Sequence, residues 1–215
     1  MIRDLVKFGV IIGLICLVIG GGVAALYGLF VQEIAAREVL EAIDKVRTVC
    51  PEGTTPDLDH PLKGNPLKAG EPLDEEAVFA VKDAAGKTVA YVAFGGAQGY
   101  SSVVKVAVGA QAGDLSIFRV VVLAQQETPG LGAHVAEEAS NYTLWEKIFG
   151  PAEAGKTEEL VNPFLDGFRG KKEADAPAVH AITAATITSN ATKNAVIQAL
   201  ARIRDAVGAS GTSKE

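Results

Sequence analysis

Cysteine and histidine are scarce in this sequence, and neither clusters. The two cysteines among 215 residues are Cys16 and Cys50. One falls inside an apolar run and the other closes the polar stretch behind it, so they cannot pair with each other and read as two free thiols. His60, His134 and His180 are scattered without the paired spacing of a zinc or haem site, so no metal ligand is assigned. Lysine and arginine form no block, aromatic residues reach only 6%, and no RNA-binding aromatic motif occurs. With a net charge of −6 and a pI near 5.2, this argues against nucleic acid as a partner. No nucleophile pair, general base or substrate-pocket signal stands out, so no residue is assigned as catalytic.

Apolar residues are abundant, and their excess sits at the front. Mean hydropathy is +0.23, and no charged residue occurs from Phe8 to Val31. That run exceeds the roughly 20 residues a helix needs to cross a bilayer. A cleaved signal peptide would have a shorter apolar core followed by a small-x-small site. Here the core is longer and its flank, Gln-Glu-Ile-Ala-Ala-Arg from residue 32, continues as helix, so the reading is a retained anchor in membrane lipid. Arg3 and Lys7 precede the span, which puts the N-terminus in the cytoplasm and the remainder outside. In a bacterium this is a single-pass protein of the cell (inner) membrane with its domain on the periplasmic or outer side. Gly20-Gly21-Gly22, mid-span, suits close packing against another membrane helix or a bend.

Residues 32–48 keep a helical period marked by Ile34, Val39, Leu40, Ile43 and Val46, a stalk. Pro51, Pro56, Pro61, Pro66 and Pro72, with Gly53, Gly64 and Gly70, break it into a loop or extended arm over 51–73. From Ala77 strand patterns follow. Ala77 to Lys82 and Thr88 to Phe94 flank a turn at 83–87. Val103 to Val108 and Leu115 to Leu123 flank a second turn at 109–114. The stretch 95–100 reads as a Gly-rich link between the hairpins; no helix follows it, so it is not a dinucleotide loop. Ala133 to Ser140 reads as helix, Thr143 to Phe149 as a short helix or 3₁₀ turn, and 150–156 as loop. Trp145, Phe164 and Phe168 read as core. The last helix spans roughly Asn190 to Val207, with a stripe at Ala195, Val196, Ala199, Leu200, Ile203 and Val207. Thr188 or Ser189 is its expected N-cap, and the hydroxyls of Thr183, Thr186, Thr188 and Ser189 lie just ahead of it. A helix start with free N–H donors suits a phosphate; the plainer alternative is a Thr-rich turn that only caps a helix. The fold class is α+β: an N-terminal transmembrane helix, then one antiparallel-sheet domain with flanking helices. The expected division is 1–31 anchor, 32–76 stalk and loop, 77–207 domain and 208–215 disordered tail.

Two short stretches carry a family resemblance. Thr183-Ala184-Ala185-Thr186 resembles the [Ser/Thr]-Gly-Ala-Thr signature of the FMN-binding domain found in the G subunit of the Rnf complex and in the C subunit of the Na+-pumping NADH:quinone oxidoreductase. Glu127-Thr128-Pro129-Gly130-Leu131-Gly132 matches that family's second motif intact, some fifty residues earlier and in the family's order. Gly99-Tyr100-Ser101-Ser102 and Pro163 to Lys171 are similar to further family segments. Two positions depart from the pattern: Ala184 stands for the family glycine, and His180 where an acidic residue is common. The resemblance implies FMN joined by a phosphoester to Thr186, with Thr183, Ala184, Ala185 and Thr188 about the phosphate and the 127–132 loop against the ring.

The resemblance further implies a redox subunit that is not catalytic alone, in a complex passing electrons between ferredoxin and NAD+ coupled to Na+ or H+ movement. The length suits the Rnf G subunit. Implied partners are the other Rnf membrane subunits, notably the D subunit and the iron-sulfur-bearing A and E subunits, and a flavin transferase for maturation. The alternatives are the quinone-reductase C subunit, or a membrane-anchored binding or sensor module without covalent flavin.

Overall fold

A single helix, α1, runs unbroken from Ile2 to Thr48 in the computed structural model, which describes residues 2–68, 73–140 and 160–212. Phe8, Ile12, Leu17 and Leu29 are each more than half exposed along its front part. Water does not tolerate a contiguous apolar surface of this extent on a monomer. The helix is long and apolar enough to cross a membrane; its most apolar stretch has mean hydropathy 2.6 and none of it is buried. Further on the helix meets the sheet. Val39, Ala42, Val46 and, just past its end, Val49 are buried, a spacing of three and four that marks one side. Ile34 and Leu40 share the sequence period but are exposed, so the buried stripe is narrower than the pattern implies.

Five antiparallel strands form one sheet in chain order: β1 (Thr55–Pro56), β2 (Val78–Lys82), β3 (Thr88–Gln98), β4 (Val103–Gln111) and β5 (Ile117–Ala124). The Pro-rich arm is thus not wholly irregular. It supplies β1, paired with β2, and Lys63 bridges to Val78. The β2–β3 turn closes because Asp83 Oδ1 accepts the N–H groups of Ala85 and Lys87, each at 2.9 Å.

The Gly-rich stretch expected to link the hairpins is, up to Gln98, the end of β3. Gly95 pairs with Val106 and Ala97 with Val104. A Cβ on Gly95 would lie 1.9 Å from the carbonyl oxygen of Ala195, and one on Gly109 2.4 Å from that of Val49. These two glycines serve close approach of a helix to each face of the sheet, so the second turn also moves past 109 to the residues after Gln111.

Alternation along the strands sends side chains to two cores. On one face Ala93, Val104, Val106, Val108 and Val120 pack with the last helix. On the other Phe79, Val81, Val92, Phe94 and Ala107 pack with Val39, Val46, Val49 and Leu67. Phe79 and Phe94 meet edge-on at 6.0 Å. Cys50 belongs to this second core; its thiol donates to the Val46 carbonyl at 3.2 Å. Burial pushes its pKa up to about 11, which keeps it protonated and unreactive.

Beyond β5 the helix expected over Ala133 to Ser140 is one 3₁₀ turn, Gly132–Val135. β6 (Ala139–Ser140) follows, paired with β7 (Leu160–Val161). Trp145, the expected helix over 143–149 and the loop over 150–156 lie outside the described residues. A short helix, α2 (Pro163–Asp166), is capped by Asn162, whose Oδ1 accepts the N–H groups of Phe164 and Leu165 at 3.1 Å. Its Nδ2 donates to the carbonyls of His134, Val135 and Glu137. Phe164 and Phe168 are core, edge-to-face at 5.5 Å. The last helix, α3, spans Thr186–Thr212. It starts four residues before Asn190 and continues beyond Val207, where the Gly/Ser content argues for loss of order. Ala195, Val196, Ala199, Leu200 and Ile203 are its buried stripe. The Arg202 guanidinium, donating to the carbonyls of Glu75 and Phe94, holds it across β3.

Candidate functional site

The start of α3 is shaped by the turn that delivers it. The Ala185 N–H donates to the Ile182 carbonyl at 3.1 Å, and Ala184, third in that turn, has φ = 64°. A turn with positive φ at this position favours glycine; the alanine adopts it nonetheless. Ser189 N–H then donates to the Ala185 carbonyl at 2.9 Å, closing the first helical turn, so Thr186 opens the helix. The N–H groups of Thr186, Ile187 and Thr188 precede that bond and have no partner within the helix.

The four hydroxyls ahead of the stripe therefore divide differently from expectation. Neither Thr188 nor Ser189 caps the helix. Thr188 is the third residue of the helix and not ahead of it; it is 2% exposed and its hydroxyl donates to Glu127 Oε2 at 2.6 Å, a charge-assisted bond. Ser189 is fully buried and its Oγ accepts the Ile182 N–H at 3.0 Å. Thr183 and Thr186 are exposed.

Glu127 ties this helix start to the second motif. Its carboxylate is 6% exposed. It accepts the Thr188 hydroxyl, the N–H of Tyr100 at 3.2 Å, those of Ser101 and Ser102 at 3.0 and 2.9 Å, and the Ser102 hydroxyl at 3.4 Å. Burial pushes its pKa up, but the Thr188 hydroxyl and the N–H groups of Ser102, Ser101 and Tyr100 outweigh burial and hold it below the ordinary glutamate value. The backbone closes around it at Gly99 and Gly132, where a Cβ would lie 2.7 and 2.8 Å from its carboxylate oxygens. The Thr128 carbonyl accepts the N–H groups of Leu131 and Ala133, and Gly130 turns the loop at φ = 74°.

Between these parts opens a cleft of about 500 Å³, lined by Tyr100, Glu127, Thr128, Leu131 and Gly132 on one side and by residues 184–188 on the other. The two motifs, distant in sequence, thus form its two walls. Of the residues singled out from the sequence, Glu127, Thr128, Leu131, Gly132, Ala184, Ala185, Thr186 and Thr188 line it. Thr183, Pro129 and Gly130 do not. Tyr100 and Ile187, not singled out, also line it, and with Leu131 they expose large apolar surface at its edge: 72%, 56% and 46%. The signal for Ile187 was available, since it is an apolar residue off the helix's buried stripe. That for Tyr100 lay in the Gly99-Tyr100 pair.

The donor set suits FMN. A helix start with unpaired N–H groups favours a phosphate, the apolar edge suits a planar ring, and the volume falls within the range of cofactor clefts. Among the described residues no cation lines the cleft and the one carboxylate there is engaged, so these walls can bind and orient a group but offer no acid–base pair.

A family comparison agrees with this donor set. No curated protein matches the chain. A solved structure, NqrC of Shewanella oneidensis, is similar at 19% identity, with a TM-score of 0.44 over 75% of this chain and 71% of that one. The family model of the FMN-binding domain matches residues 99–201, a span that opens at Gly99, closes within α3 and contains every residue lining the cleft. Over residues 99–201, just under half of its length, this chain is therefore similar to FMN-binding domains.

Proposed function

We propose that the chain is the flavin-bearing electron-transfer subunit, of the G type, of a membrane-bound ion-translocating ferredoxin:NAD+ oxidoreductase of the Rnf kind, with FMN joined to Thr186 as a phosphoester. The observation that carries this is the division of hydroxyls at the cleft. Of the four hydroxyls at the helix start, Thr188 and Ser189 are buried and hydrogen-bonded, Thr183 is off the cleft, and Thr186 is exposed on its wall; the other exposed hydroxyls lining the cleft, Thr128 and Tyr100, lie away from the helix start.

FMN, when bound, supplies the redox chemistry; the protein positions it and sets its surroundings. Thr186 holds the phosphate end beside the unpaired N–H groups of the helix start. Tyr100, Leu131 and Ile187 would offer apolar surface to the ring, and Glu127 keeps the two walls in register. A tether prevents diffusion, which suits relay between fixed centres. The partners in this reading are the D subunit and the iron-sulfur-bearing A and E subunits. A flavin transferase loads the site, and α1 anchors the domain on the periplasmic or outer side of the bacterial cell membrane.

Co-expression of the full chain with a flavin transferase tests this. A fluorescent flavin band should survive a denaturing gel, vanish in Thr186→Ala and persist in Thr183→Ala. Native membranes carrying Thr186→Ala should also lose NAD+ reduction by reduced ferredoxin. Loss of quinone reduction instead would reassign the chain to the quinone-reductase C subunit. A wild-type band without flavin would leave a membrane-anchored binding or sensor module.

A further inference from the structure

Among the described residues that line the cleft, Glu127 is the only carboxylate and none is cationic. Its five donors are all neutral hydroxyls or peptide N–H groups, and no ion pair involves it among the described residues. The side chain is 6% exposed, and the closeness of Gly99 and Gly132 to its oxygens leaves little room for water. Screening at such a site is weak, so its charge acts over a longer range than a surface charge would.

We propose that the Glu127 carboxylate is a fixed negative charge in the cleft wall that lowers the reduction potential of the flavin bound there. This rests on the FMN reading above. Uptake of two electrons and one proton converts the neutral oxidised ring into a reduced ring bearing one negative charge. A like charge in the same poorly screened cleft disfavours that product and leaves the neutral oxidised form nearly untouched. The hydrogen bonds that hold Glu127 below its ordinary value keep it ionised throughout the neutral range. A residue that only ties the walls together would stabilise the cleft without this electrostatic signature.

Full-length protein loaded with FMN by its transferase, titrated with dithionite against reference dyes, tests the idea. Glu127→Gln keeps the shape and removes the charge. Its potential should rise by at least tenfold in the reduction equilibrium, about 30 mV for a two-electron couple. Thr188→Val removes a donor and leaves the charge, so it should move the potential much less. Glu52→Gln, an exposed charge just past the end of α1, should not move it. A Glu127→Gln protein with unchanged potential, or a Thr188→Val shift as large as that of Glu127→Gln, overturns the proposal. Should Glu127→Gln fail to fold or to load, the wild type decides: its potential should lie below that of free FMN in the same buffer, and a value at or above it overturns the proposal. A colourless wild type removes the FMN reading and this inference together, whereas a coloured protein insensitive to the Glu127 charge removes only the inference.

Discussion

Ala184 carries a left-handed backbone, φ = 64°, which for an L-residue costs about 1–2 kcal/mol. Replacing it by glycine removes that cost and adds back part of it as unfolded-chain entropy. Ala184→Gly should therefore stabilise the protein by about 0.5–1 kcal/mol in denaturant unfolding, and a loss of stability would contradict the turn geometry. The sequence showed this departure from the family glycine but not its backbone angle, which only the turn closed by Ile182 and Ala185 reveals. Glu127 has a second consequence at this scale. Its folded-state pKa lies below the ordinary value of 4.5, so its ionised form stabilises the native state. That stability is fully present above pH 4.5 and is lost as pH falls through the lowered folded value. The stability gap between wild type and Glu127→Gln should be constant from neutral pH down to about 4.5 and shrink below it, as read by unfolding at stepped pH. A gap that widens with acid would contradict the ionised hub.

The sheet is held between two helices, and the contacts are backbone-close. A Cβ at Gly95 would meet the Ala195 carbonyl oxygen at 1.9 Å, and backbone cannot swing aside as a flexible side chain can. Gly95→Ala should cost about 3 kcal/mol or more in unfolding free energy. Gly109→Ala, against Val49, should cost about 1–3 kcal/mol by the same mechanism. A neutral Gly95→Ala would mean that α3 does not lie where described. These glycines mark how far the elements were legible in the sequence. β-branched density located β2 to β5 because strands report themselves through period two and side-chain type. Gly95 and Gly109 were read as loop because glycine signals freedom locally, while its reason here is a helix some hundred residues later or sixty earlier. The start of α3 was misplaced for a similar cause. Thr188 has the chemistry of an N-cap, but the turn closed by Ile182 and Ala185 starts the helix at Thr186 and leaves Thr188 inside its first turn, facing a carboxylate from another loop. The motifs themselves were legible and their meeting was not, since the bond that joins them runs between Glu127 and Thr188, 61 residues apart.

The molecule joins an apolar helix to a cofactor cleft through one continuous α1, whose end is fixed to the sheet. Lys45 Nζ donates to the Leu123 carbonyl at 2.8 Å, and Arg119 donates to that of Thr48 at 3.1 Å. If the front of α1 is the anchor, full-length protein should stay with the membrane pellet under alkaline carbonate. A chain beginning at residue 32 should appear in the supernatant. Release of the full-length protein would contradict an integral span. The anchor and the cleft meet in the proposal that the hydroxyl opening the last helix carries the flavin. The most direct measurement is the intact mass of the subunit from its native membrane, followed by mapping of the peptide around residue 186. An increment of one FMN less one water, placed on Thr186, is expected. An unmodified mass, or the same increment on Thr183, would contradict it.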